Sequence, residues 1–159
     1  MNRAAPISLA VMLMSTGVAN AEAGKVTGQA ALALAGVVAA ASHRLSTAEK
    51  EAVAMLFAAN SSIPYKKKIV VTADKIVCRV GDVDITARSC ELTFGKTTKT
   101  INGRAASEMF ATEAMAGVAA DGAAGSMVES LSKLSCTLDP QVITEKAGGG
   151  AECTFDAAQ

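Results

Sequence analysis

Apolar residues along the chain pass from a continuous run, through helical spacing, to alternation. Ile7 to Val18 is the continuous run, centred on Leu9-Ala10-Val11-Met12-Leu13-Met14. Ala30 to Ala41 is rich in alanine, with Leu32, Leu34, Val37 and Val38, which predicts a helix. Ser46-Thr47-Ala48-Glu49 has the form of a capping box, with Ser46 accepting from the first turn and Glu49 reaching back. Val53, Leu56 and Phe57 then share one face of a second helix, which Asn60-Ser61-Ser62-Ile63-Pro64 ends. The segment from Glu22 to Gln29 reads as a flexible lead.

From Tyr65 the texture becomes β-like. Lys68 to Val80 is dense in Ile, Val and Thr, with Asp74-Lys75 as a break within it. Asp84 to Phe94 and Thr97 to Ile101 follow as strands, joined by Gly95-Lys96 as a two-residue turn with glycine first. Cys90, Leu92 and Phe94 alternate on one face, as Ile76 and Cys78 do on theirs. A helix is predicted from Ala105 to about Ala116, with Ala106, Met109, Phe110 and Ala114 as its apolar stripe and Gly117 as its stop. Met127 to Leu138 suits either a helix or a strand, and the end near Cys136 favours a strand. Asp139-Pro140 is an N-cap followed by proline at the first helical position. Gly148-Gly149-Gly150 ends that short helix, and Cys153-Thr154-Phe155 is a last strand. The expected fold is α+β: a small antiparallel sheet with N-terminal helices and one packing helix, stapled by two disulfides.

The first run has the architecture of a signal peptide. Asn2-Arg3 supplies the positive start, and Ala19-Asn20-Ala21 the small residues that a signal peptidase accepts. The expected division is therefore 1–21 signal peptide, 22–64 helical segment and linker, and 65–159 disulfide-stapled α+β domain. Cys78, Cys90, Cys136 and Cys153 agree with export, because an even count in a small exported chain reads as a disulfide framework. Of the three connectivities, Cys78–Cys90 and Cys136–Cys153 is favoured, since each closes a short loop. The cysteines lack the closely spaced pairs of a structural zinc site. The implied location is periplasmic or secreted. Ala30 to Ala41 is short for a membrane span, although a retained anchor is its sharper alternative.

Charge narrows the partners. Basic and acidic residues number 15 each, so removal of 1–21, which takes only Arg3, leaves −1. A general binder of nucleic acid or anionic membrane carries a basic excess instead. The aromatics are Phe57, Tyr65, Phe94, Phe110 and Phe155, too few for a stacking platform and few enough to leave the core to Val, Ile, Leu, Met and Ala.

The search for chemistry returns no catalytic, cofactor or metal residues. His43 is the only histidine and has no visible partner. Ser130-x-x-Lys133 matches a nucleophile spacing without its companion motifs. Asp82 and Asp84 lack the further ligands of a calcium loop, and Glu113 reads as a rim acid on its helix. Gly148-Gly149-Gly150 lacks the Lys and Ser/Thr of a phosphate loop, and Asn60-Ser61-Ser62 is formally a glycosylation sequon. Lys66, Lys67 and Lys68 form the only charge run, read as the guard of an edge strand or as a contact for an acidic partner or lipid headgroups, although a lipid-binding cluster usually has more lysines. These features point to an exported, non-enzymatic binding module that recognises another envelope or secreted protein. The alternative is an enzyme or small-ligand carrier whose site assembles only on folding. A deep pocket holding Glu113, Arg104 or Asp84 distinguishes the alternative, and a filled core with an open strand edge near Lys68 distinguishes the module.

Overall fold

The computed structural model describes residues 23–58, 63–80, 88–110, 128–146 and 148–157. Six strands form one antiparallel sheet in the order β1-β6-β5-β2-β3-β4. They are β1 Ala23–Thr27, β2 Ile69–Val80, β3 Arg88–Phe94, β4 Thr97–Asn102, β5 Val128–Leu138 and β6 Ala151–Ala157. Four helices are described: α1 Gly28–Ala41, α2 Thr47–Phe57, α3 Gly103–Phe110 and α4 Pro140–Glu145. The fold is mixed α+β, as the sequence pattern indicates. The lead expected to be flexible is not loose: residues 23–27 form the edge strand β1, paired along β6. Gly24 faces Phe155 in that register, and a Cβ there would collide with the Phe155 ring. The glycine lets the ring close over the sheet edge.

One face of the sheet is covered. Ile69, Val71, Ala73, Ile76 and Cys78 of β2, Cys90, Leu92 and Phe94 of β3, and Leu131, Leu134, Cys136 and Leu138 of β5 are all buried. Helix α1 crosses this face against β6, β2 and β1, while α3 packs on β3 and β4. In α1 the residues Ala31, Leu32, Leu34, Ala35, Val37, Val38 and Ala39 are buried, so the helix is apolar nearly all round because it lies inside the core. No described helix is long and apolar enough to cross a membrane. Its alanines allow close approach: the Cys153 sulfur lies 3.5 Å from the Ala31 carbonyl oxygen. The opposite face carries Lys25, Thr27, Glu91, Thr100, Thr137, Glu152 and Thr154, all exposed.

The local signals hold. Ser46 and Glu49 make both halves of the capping box on α2. The Asp139 carboxylate accepts from the Gln141 and Val142 amides ahead of Pro140 in α4. Gly95 takes φ 64° at the β3–β4 turn, a conformation that favours glycine. From Val128 to Leu138 the ambiguous stretch is strand, as β5. Both disulfides are present, Cys78–Cys90 and Cys136–Cys153, each joining residues directly opposed in register on neighbouring strands.

Asp74-Lys75 does not divide β2. The strand is continuous, but its inward positions step by three, from Ala73 to Ile76, leaving Asp74 and Lys75 both exposed. β5 makes the same step opposite, from Leu134 to Leu131, so the two strands stay in register. β6 does not follow, and its register to β5 shifts between Ser132 and Ser135, where Lys133 adopts φ 53°. This is a β-bulge, in which one extra residue bends the strand. An unpaired carboxylate is costly in a core, so the step keeps Asp74 out of it.

Candidate functional site

Two features meet at the middle of β2. The first is a polar clasp. The loop from Ser42 to Ser46 carries Arg44 to the end of the β3–β4 hairpin. There its guanidinium donates to Thr72 Oγ1 at 3.0 Å and to Asp74 Oδ2 at 2.9 Å. Asp74 also accepts from the Gly95 amide. The Arg44 guanidinium lies 5.7 Å from the Phe94 ring centroid, and the His43 ring meets the same ring edge-on at 5.9 Å. Arg44 beside Asp74, with the Gly95 amide, holds the carboxyl below its ordinary value. The clasp ties loop, strand and hairpin together.

The second feature is the half of β2 that precedes the clasp. β3 pairs with β2 only from Lys75 to Val80. From Ile69 to Ala73 the strand pairs with β5 alone. Among the described residues no second strand pairs along its other side, although Ile69, Val71 and Ala73 are buried there. This corrects the reading of Lys66, Lys67 and Lys68 as guards of an edge strand: β2 is interior in the sheet order, and only its first half is flanked on one side. The three lysines are exposed and make no ion pair with a described residue. Val70 on the outer face is 51% exposed, while Ile69 and Val71 are buried beneath.

Two apolar grooves lie on the helical side. One, of about 360 Å³, runs between α1, α2, α3 and β4 and includes Val37, Val53, Phe57 and Ile101, with Lys50 and Glu108 also lining it. Gly36 shapes it, because a Cβ there would press to 3.0 Å from Phe57. The other, of about 260 Å³, is lined by Ala48, Glu51, Ala52, Met55, Pro64 and Tyr65, and so adjoins the lysine run.

The remaining sequence candidates do not converge. His43 is exposed and packs on Phe94. Arg104 is 92% exposed and pairs with Glu108 one turn on. Lys133 lies 3.6 Å from Asp156. Asp82, Asp84, Glu113 and the sequon lie outside the described residues, as does the end of the helix expected to run to Ala116. No described group of three His, Cys, Asp or Glu residues is placed to hold a metal ion. Sequence reasoning missed the Arg44–Asp74 clasp. Its only trace was an aspartate interrupting a run of β-branched residues. Comparison with protein-family models, curated proteins and solved structures returns no match.

Proposed function

We propose that the chain is an exported binding module that recognises another envelope or secreted protein through the face beginning at Lys66. The observation that carries this reading is an exposed run of three lysines leading into a strand whose first half, among the described residues, pairs with β5 alone, above a filled core. The two disulfides support the export half of the reading, since such bridges persist in oxidising compartments. They also brace the sheet, which lowers the ordering cost of presenting a rigid edge.

The test has two parts. Protein recovered from the periplasm or medium should begin at Glu22; recovery of an exported form that keeps Met1 to Ala21 overturns the signal-peptide reading. A photo-crosslinker at position 67, in the native envelope, should yield a discrete protein adduct that a crosslinker at Thr154, on the far strand, does not. Equal labelling at both positions argues against this face. The groove of about 360 Å³ favours a second reading, a carrier of a small apolar ligand. Native mass spectrometry showing a stoichiometric bound small molecule supports the carrier instead.

A further inference from the structure

The basic residues differ in how firmly the fold holds their backbone. A protease binds its substrate as an extended chain, so a bond inside a helix or a paired strand must open first. Every lysine and arginine after Arg3 falls among the described residues. Lys25, Lys75, Arg79, Arg88, Lys99 and Lys133 lie within strands, and Lys50 and Arg104 within helices. Arg44 is tied to Thr72 and Asp74. Lys96 sits in the tight turn between Phe94 and Thr97, which pair with each other. Lys146 donates its amide to the Val142 carbonyl, and its own carbonyl accepts from Gly149. Lys66, Lys67 and Lys68 instead lie exposed on the irregular stretch 63–68 that leads into β2. We infer that this run is a processing site, where an endoprotease with an acidic specificity pocket cuts the chain into two pieces that stay assembled. Such processing is independent of whether the same face also binds a partner.

The chemistry is hydrolysis of the Lys66–Lys67 or the Lys67–Lys68 amide. Water adds across the bond, leaving a carboxylate on one lysine and an ammonium on the next, and the protease supplies the catalytic groups. A lysine side chain is what an acidic pocket selects, and exposed loops are preferred sites of such cuts. The cut falls between buried anchors, Ile63 at 4% exposure before it and Ile69 at the start of β2 after it. Neither disulfide spans it, because Cys78–Cys90 and Cys136–Cys153 both lie in the second piece. The pieces are joined by packing instead. β1 pairs along β6, the buried side chains of α1 fill the covered face, and Arg44 in the first piece is clasped to Asp74 in the second. Cutting turns these contacts from intramolecular to bimolecular, so assembly comes to depend on concentration.

The test is limited trypsin digestion of the disulfide-intact mature chain, read by intact mass. The first cut should follow Lys66 or Lys67. The two pieces should separate on a denaturing gel without reductant, yet elute together in native gel filtration. The melting temperature of the cut chain should fall on dilution, while that of the uncut chain stays fixed. Replacing all three residues, Lys66→Gln, Lys67→Gln and Lys68→Gln, should abolish this cut and leave the melt of the uncut chain unchanged. Chain recovered from the compartment to which it is exported should include a piece that begins at Lys67 or Lys68. A first cut elsewhere, pieces that part under native conditions, or a cut-chain melt that ignores dilution overturns the inference. So does a triple variant still processed in this loop, which removes the acidic pocket. A partner crosslinked at position 67 to chain that is recovered uncut leaves the binding reading standing and removes this one.

Discussion

Replacing Cys78 and Cys90 by alanine, and separately Cys136 and Cys153, measures what the two bridges contribute. The bridges join residues 12 and 17 apart in sequence. The loop-closure entropy they remove from the unfolded chain corresponds to about 2.8 and about 3.1 kcal/mol at 25 °C. All four sulfurs are buried, so each pair of alanines also leaves a small void, and the loss per bridge should be about 3–4 kcal/mol. The bridges are well separated: Cys136 faces Val71 on β2, and Cys78 lies seven residues further along the same strand, about 23 Å at strand rise. Independent sites at such a distance add to within about 0.5 kcal/mol. The chain lacking both bridges should therefore lose about 6–8 kcal/mol, which brings a domain of ordinary stability of about 5–15 kcal/mol close to unfolding. Urea denaturation of the three variants with free fit of the slope is the assay, and each single-bridge variant should also melt about 10 °C lower. Losses below about 1 kcal/mol, or single-bridge losses that fail to add by more than about 1 kcal/mol, would refute the entropic argument.

Phe94 is the aromatic anchor of the described core at 1% exposure, so Phe94→Ala should cost about 3–5 kcal/mol in the same assay. His43→Ala, which removes only an exposed ring from its edge, should stay within about 1 kcal/mol; a loss of binding with an unchanged melt would point to a catalytic or ligand role instead. Asp74 has its carboxyl held below the ordinary value of 3.8, so the unfolded chain takes up that proton first. Its contribution is complete above that value and is lost as the pH falls through the lower folded one. Urea midpoints from pH 5 to pH 2 should thus fall more steeply for the wild type than for Asp74→Asn, and parallel curves would remove the clasp from the pH response. Ser46→Ala breaks the capping box and should cost about 1 kcal/mol, read as a lower melting temperature.

Elements whose cause is local were legible along the chain. Ser46 and Glu49 need only three residues of separation to satisfy each other, and Asp139-Pro140 needs only the next turn. Gly95 marks its turn because few other residues take its φ without cost. The cysteine pairing was legible for the same reason: alternation put Cys78 with Ile76 and Cys90 with Leu92 on core faces, and short separation made facing strands the economical arrangement. What depended on distant contacts was not legible. Residues 23–27 carry one large apolar side chain, Val26, so nothing in their pattern announces a strand; β6 and the Phe155 ring over Gly24 make them one. Arg44 and Asp74 lie 30 residues apart, and no local rule joins them. The apolar stretch in α1 reads alike for a core helix and an anchor, and only its burial against β6 and β2 decides between them. The candidate site divides in the same way. The charge of Lys66–Lys68 is written in the chain, but that β3 pairs with the strand they lead into only from Lys75 onward is a matter of strand order, which is settled by which apolar faces can be buried together.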